Sequence, residues 1–183
     1  MDDSVPFGSR AYLICFHLLL FARGMDLLST WLATPNLQLE ANPIARKLGW
    51  KWGIPFNLAM CACFASWPLP SVIISTTSTL VAARNFQGVW LMRTMGEDAY
   101  RHWMVQRMGE ARPMVYLGCL LAQVGLFALV GSALAWASSD PSGRDWIQFG
   151  IGVGIIGYAL AVLIFTLISM WRLRRNSHSM SPD

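Results

Sequence analysis

Arg23, Asp26, Thr30 and Thr34 follow one another at spacings of three, four and four residues, so on an α-helix they form a stripe along one face. They belong to an apolar run long enough to cross a bilayer. A charge at membrane depth costs roughly 2.5–3.5 kcal/mol on insertion scales, so a chain that keeps two of them three residues apart has a use for them. Two kinds of chemistry fit. Oxygen atoms from Asp26, Ser29 or Thr30, Glu40 and Asn42 suit a hard cation such as Mg²⁺ or Ca²⁺. Alternatively, Arg23 can grip a lipid phosphate. The plainer alternative is structural: Arg23 and Asp26 neutralise each other and hold the helix to a neighbour. In every case the stripe must face protein or water. Glu40 and Asn42 emerge just past the helix, where a loop that folds back brings them to Thr30 or Asp26.

No other constellation carries a diagnostic reaction. His17, His102 and His178 are scattered, and His17 lies on the opposite side of its helix from Asp26, where it is expected to be packed. Cys15, Cys61, Cys63 and Cys119 all lie in apolar segments and read as small buried hydrophobes. Neither a disulfide nor a zinc site is expected. There is no Ser-His, HExxH or paired-aspartate signature, so an intramembrane hydrolase or transferase acting through Asp26 or Glu40 ranks last. The identity of any metal or cofactor is left open. Gly150 and Gly154 form a GxxxG pair, which lets helices approach closely; it serves either internal packing or a partner helix. No strand or GKS/T sequence accompanies it, so it is not a nucleotide loop.

The elements that position these residues follow from composition. Of 183 residues, 55% are hydrophobic and 13% charged, against about 25% charged in a soluble domain. The chain is therefore expected to be an all-α, polytopic membrane protein, with residues 1–183 as a single membrane domain. The spacing predicts about four transmembrane helices, over about 11–34, 53–84, 113–136 and 146–171. Pro68 and Pro70 interrupt the second, which is expected to be one long kinked helix; a half-membrane hairpin is the alternative. Asn42-Pro43 predicts a helix start, with asparagine as the cap and proline in the first position. Gly49 is expected to end that short helix.

Residues 85–112 mix charged residues with Met and aromatics and predict an amphipathic cytoplasmic linker on the membrane surface. Glu97–Arg101 and Asp98–His102 are expected i,i+4 pairs. Within the linker, Trp103 and its methionine neighbours offer a docking face for a partner. The acidic N-terminus lacks the basic n-region of a signal peptide, so the first span is expected to stay as an anchor. With four spans both termini share a side. That side collects Arg10, Arg84, Arg93, Arg101, Arg107, Arg112, Arg172, Arg174 and Arg175, against Arg46, Lys47, Lys51 and Arg144 on the other. The bias puts both termini in the cytoplasm of an inner-membrane protein. The net charge of +4, spread in this way, sets topology and meets lipid headgroups rather than nucleic acid.

The pattern Asp26-x-x-Ser29-Thr30 followed by Glu40-x-Asn42-Pro43 resembles a family of small bacterial and archaeal integral membrane proteins of unknown function, with an Asp-x-x-x-Thr helix and a Glu-x-Asn-Pro turn. The resemblance covers about residues 17–66. It implies that these residues form a site, without implying an activity. Members tend to carry a lysine in the next span, where this chain offers Asn57.

Three functions follow in order. The first is an accessory or assembly subunit of a membrane complex, with Gly150, Gly154 and Trp103 packing against partner proteins. The second is a lipid- or ion-binding or transport protein using Arg23, Asp26, Ser29, Thr30, Glu40 and Asn42. The third is the intramembrane enzyme.

Overall fold

The computed structural model describes residues 4–38, 40, 42–110, 112–138 and 145–178. Residues 139–144, between the third and fourth expected spans, and those beyond 178 lie outside the described residues. Among the described residues the chain is helical, with no strand. It forms α1 (Arg10–Ala33), α2 (Pro43–Phe64), α3 (Pro68–Met95), α4 (Glu97–Glu110), α5 (Pro113–Ala137) and α6 (Trp146–His178). Three of these contain stretches long and apolar enough to cross a membrane: Arg10–Ala33, Met114–Ala137 and Trp146–Trp171.

The helix ends are written in the sequence. Ser9 caps α1, its hydroxyl accepting from the Tyr12 amide at 3.2 Å. Asn42 caps α2 by accepting from the Ile44 and Ala45 amides, with Pro43 in the first turn as the Asn-Pro pair predicts. Gly49 breaks the regular path of α2 at φ +62, a conformation that costs glycine nothing for want of a Cβ. The helix resumes immediately beyond it, so α2 is longer than the short helix expected at 43–48.

The single kinked helix expected over 53–84 is two helices. Pro68 and Pro70 both lie in the first turn of α3, where backbone N–H groups have no helical partner and a proline loses nothing. The Pro68 ring also excludes Trp67 from the helical region, and Trp67 is extended at φ −122, ψ 101. Two prolines one residue apart thus mark a start and not an interior bend. The turn is closed by Ser71, whose hydroxyl donates to the carbonyls of Phe64 and Trp67.

At this turn the chain reverses. The Val5 amide donates to the Ser66 carbonyl at 2.8 Å, and the Tyr12 hydroxyl to that of Ala62 at 3.0 Å. At the other end the Trp50 indole donates to the Pro35 carbonyl at 2.8 Å, so α2 runs antiparallel to α1. Contacts from α1 to α3 climb in register, Arg23 to Ser78, Ser29 to Asn85 and Thr34 to Glu97, so α3 runs parallel to α1. The helix α6 is parallel to α3, from Gly150 beside Val72 to Thr166 beside Arg84, and α5 returns antiparallel to it. The bundle therefore has a Trp67 end and a Glu97 end. Arg10 lies at the first and the C-terminal part of α6 at the second.

The same reversal moves the connections. The 34–42 loop and α4 were expected on opposite sides, yet Glu97 accepts from the Thr34 hydroxyl and from the Asn36 and Gln38 amides. Trp31 stacks under Arg93 at 5.6 Å, so Trp31 and Trp50 share an end with Trp90 and Trp103, and Trp67 lies in the turn at the other. The amphipathic linker is also shorter than 85–112. Nothing stops α3 until Gly96 (φ +79), so residues 85–95 continue α3 and only α4 remains. Glu97 reaches back to the loop and not to Arg101. The Asp98–His102 contact runs from the imidazole to the Asp98 carbonyl, at 2.7 Å.

Packing puts α3 between α1 and α6. Ser71, Ser75, Ser78 and Ala82 are buried on α3, at the three- and four-residue spacing of a close helix contact. Glycines draw α6 in on two faces. A Cβ on Gly154 would meet Thr76 Cβ at 2.7 Å and the Ile73 carbonyl at 2.9 Å, and one on Gly152 would meet the Gly131 carbonyl of α5 at 2.6 Å. The Thr77 hydroxyl donates across the first contact to the Gly154 carbonyl at 2.8 Å.

Candidate functional site

Between α1, α3 and α6, towards the Glu97 end, lies a cavity of about 470 Å³. The 34–42 loop and the first turns of α2 form one wall, and Met92 and Met104 approach from the other side.

The stripe on α1 supplies the polar lining. Arg23, Asp26, Thr30 and Thr34 all face the cavity, and the loop adds Glu40 and Asn42. Six candidates were expected in a site, and five of them meet here. Ser29 is the other. It is fully buried behind the wall, where its hydroxyl donates to the Asp26 carbonyl at 2.9 Å and receives the Asn85 amide at 3.3 Å.

Arg23 is held on three sides. Its Nη1 donates to Asp26 Oδ2 at 2.8 Å and to Ser78 Oγ at 3.1 Å. Its Nε donates to Asn57 Oδ1 at 2.8 Å, and Nη2 reaches the same oxygen. Asn57 is itself oriented, its amide donating to the Gly53 carbonyl at 2.8 Å. Asn57, the polar residue this chain offers in the span after α1, is therefore an acceptor for Arg23. Glu40 accepts from the Asn42 amide at 2.7 Å, and its charge is near enough to act on Asp26.

Three residues of this site were not singled out by spacing. Ser78 and Asn85 belong to the series Ser71, Ser75, Ser78, Ala82, Asn85, and that small-polar periodicity is the signal that finds them. Asn85 spans α3 to α1, its amide donating to Ser29 and, at 3.4 Å, to Thr30. Arg84 was counted with the cytoplasmic linker. It stands instead in the cavity wall, with Nη2 3.5 Å from Thr166 Oγ1 of α6.

The packing candidates lie elsewhere. Gly150 meets Val72 and Leu69, and Gly154 meets Thr76 and Ile73, all on α3 of the same chain. Trp103 is exposed on α4 and tilts against Tyr100, ring centroids 5.7 Å apart. His17, expected to be packed, is exposed on the outer face of α1 with its ring nitrogen 2.7 Å from the Leu13 carbonyl. Cys15 and Cys61 are buried, but Cys63 and Cys119 are exposed. Among the described residues no three His, Cys, Asp or Glu side chains stand close enough to hold a metal ion together. A cation here would rest on Asp26 and Glu40 with neutral oxygens.

Compared with protein-family models, with curated proteins and with solved structures, the chain matches none of them. The Asp-x-x-x-Thr and Glu-x-Asn-Pro pattern thus stands as a motif resemblance, and the functional argument rests on the cavity.

Proposed function

We propose that this is a multi-pass protein of the cell inner membrane that binds a lipid or another small ligand in the cavity at its Glu97 end. One observation carries the reading: the charged stripe of α1 opens onto about 470 Å³ of space, within the range of about 300–1,000 Å³ common for small-ligand sites. A stripe that served only to join helices would be closed over. Here Arg23 and Asp26 meet neighbours on one side and the cavity on the other. The lining also holds apolar side chains, among them Val162 and Phe165 of α6, so the site suits a molecule with a polar and an apolar part.

The cavity lies at the cytoplasmic side in this reading. Helix direction supports five crossings, since α3 lies alongside α1 and α6 and α2 lies alongside α1. Length and hydropathy pick out only α1, α5 and α6, because a helix covered by protein has no need to be oily all round. The Glu97 end then collects Arg46, Lys47, Lys51, Arg93, Arg101, Arg107, Arg112, Arg172, Arg174 and Arg175, while among the described residues the Trp67 end has Arg10. That asymmetry exceeds the one obtained with four spans. It puts the N-terminus outside and the C-terminus in the cytoplasm.

The test is native mass spectrometry of the protein released in mild detergent, beside an Ala161→Trp variant that fills the cavity. A small-molecule or lipid adduct on the wild type, lost in the variant, is the expected result. Stoichiometric protein partners with no such adduct would overturn the reading in favour of an accessory subunit.

A further inference from the structure

The two arginines of the cavity differ in what satisfies them. Arg23 has a carboxylate, a carboxamide oxygen and a hydroxyl as acceptors. Among the described residues Arg84 has one hydrogen-bond acceptor, Thr166 Oγ1 at 3.5 Å, beyond the usual N–H···O range of about 2.7–3.2 Å. A guanidinium carries five N–H donors and keeps its charge at any working pH. Among the described residues no carboxylate lies within salt-bridge distance of Arg84. It is half-buried and lines the same cavity.

Its depth is informative. Arg84 follows the start of α3 by sixteen residues, about 24 Å of helix at about 1.5 Å per residue. It is level with Ser29 and Thr30 near the end of α1. In a bilayer whose hydrocarbon core is about 30 Å thick, that is about 6 Å short of the inner edge of the core, a distance over which a long arginine side chain extends towards the plane of the inner-leaflet phosphates. An arginine on the outside of the bundle would reach that plane without help. Arg84 instead points across the cavity to α6, where Ser169 follows Thr166 by three residues and also lines the space.

The geometry points to a phosphate group as the ligand chemistry of this cavity, seated on the Arg84 guanidinium with the Thr166 and Ser169 hydroxyls beside it. The inference rests on the ligand-binding reading above and assigns its substrate class. The planar fork of an arginine matches two phosphate oxygens at once. Arg23, whose charge is already met by Asp26, holds the wall together and is not the phosphate anchor. The apolar side chains of Val162 and Phe165 lie along the same helix as Thr166 and receive the hydrophobic part of an amphiphile.

The experiment titrates the detergent-purified full chain with phosphatidylglycerol and with diacylglycerol of the same acyl chains, read by native mass spectrometry. The wild type is expected to bind phosphatidylglycerol at least about tenfold more tightly, the scale of a charge-assisted bidentate contact. Arg84→Gln should erase that preference while leaving diacylglycerol binding in place, and Arg84→Lys should keep part of it. Release of the lipid by inorganic phosphate would assign the site to soluble phosphate compounds, and retention would assign it to phospholipid; either agrees with a phosphate on Arg84. No preference in the wild type, or a preference surviving in Arg84→Gln, would overturn the inference. In that case Ala161→Trp separates the two levels. Loss of both lipids in that variant preserves the cavity reading, and binding of both undiminished removes it as well.

Discussion

Arg23 and Asp26 are a largely but not fully covered ion pair, with side chains 30% and 16% exposed. Breaking a fully buried pair costs about 3–5 kcal/mol, mostly through the charge left behind. Here Asn57 and Ser78 still accept from Arg23, and the cavity admits solvent. Asp26→Asn is therefore expected to destabilise by about 2–3 kcal/mol, read as a lowered unfolding midpoint in detergent. Adding Arg23→Gln should recover part of that loss, because the second change removes the stranded charge. Glu97 acts at the same scale. Its carboxylate gathers one hydroxyl and two amides of the 34–38 loop, and that loop bears Leu37 at φ +55, a backbone region a leucine avoids without support. Glu97→Ala should cost about 2 kcal/mol locally and speed hydrogen exchange at the Asn36 and Gln38 amides, while amides of α5 stay protected.

Among the elements, α6 is set by its glycines. At Gly154 an added Cβ meets the Ile73 carbonyl as well as Thr76, so the obstacle includes backbone and α3 and α6 must separate. Gly154→Ala is expected to destabilise by about 1–3 kcal/mol, the range for an overpacked core. Gly125, on α5, has nothing within 4 Å of such a Cβ. Gly125→Ala should be neutral or stabilise by up to about 1 kcal/mol, through helix propensity alone. Thermal unfolding of the two variants in one detergent checks both signs. Because the Gly150 and Gly154 face is filled by α3, the glycine stripe expected to receive a partner already has an occupant within the chain.

For the whole molecule the decisive quantity is the number of reversals. A turn at 65–67 gives α2 and α3 opposite directions, brings the 34–42 loop to α4, and sets Arg10 and the C-terminal part of α6 at opposite ends of the bundle. Thiol labelling of intact cells measures the proposed topology directly. Ser4→Cys is expected to react with a membrane-impermeant maleimide from outside, and Arg101→Cys only after the membrane is opened. Reaction of both positions only after opening would restore a topology with both ends inside. The site depends on the same reversal: with α2 and α3 as one kinked helix, Asn57 and Ser78 could not both reach Arg23.

Local chemistry was legible in the sequence. The cap at Asn42, the apolar stretches of α1, α5 and α6, and the stripe from Arg23 to Thr34 all depend on neighbours within four residues, and periodicity records such neighbours. The convergence of Glu40 and Asn42 on that stripe was legible as a possibility of the loop. Helix direction after Pro68 was not, because a proline in the first turn and a proline at a kink look alike until the preceding helix is known to have ended. Arg84 was misplaced for the same reason. Its charge reads as linker, and only the packing of α3 between α1 and α6 decides that it faces a cavity. Tertiary structure decided which polar residues meet, since that depends on helices far apart in the chain lying side by side.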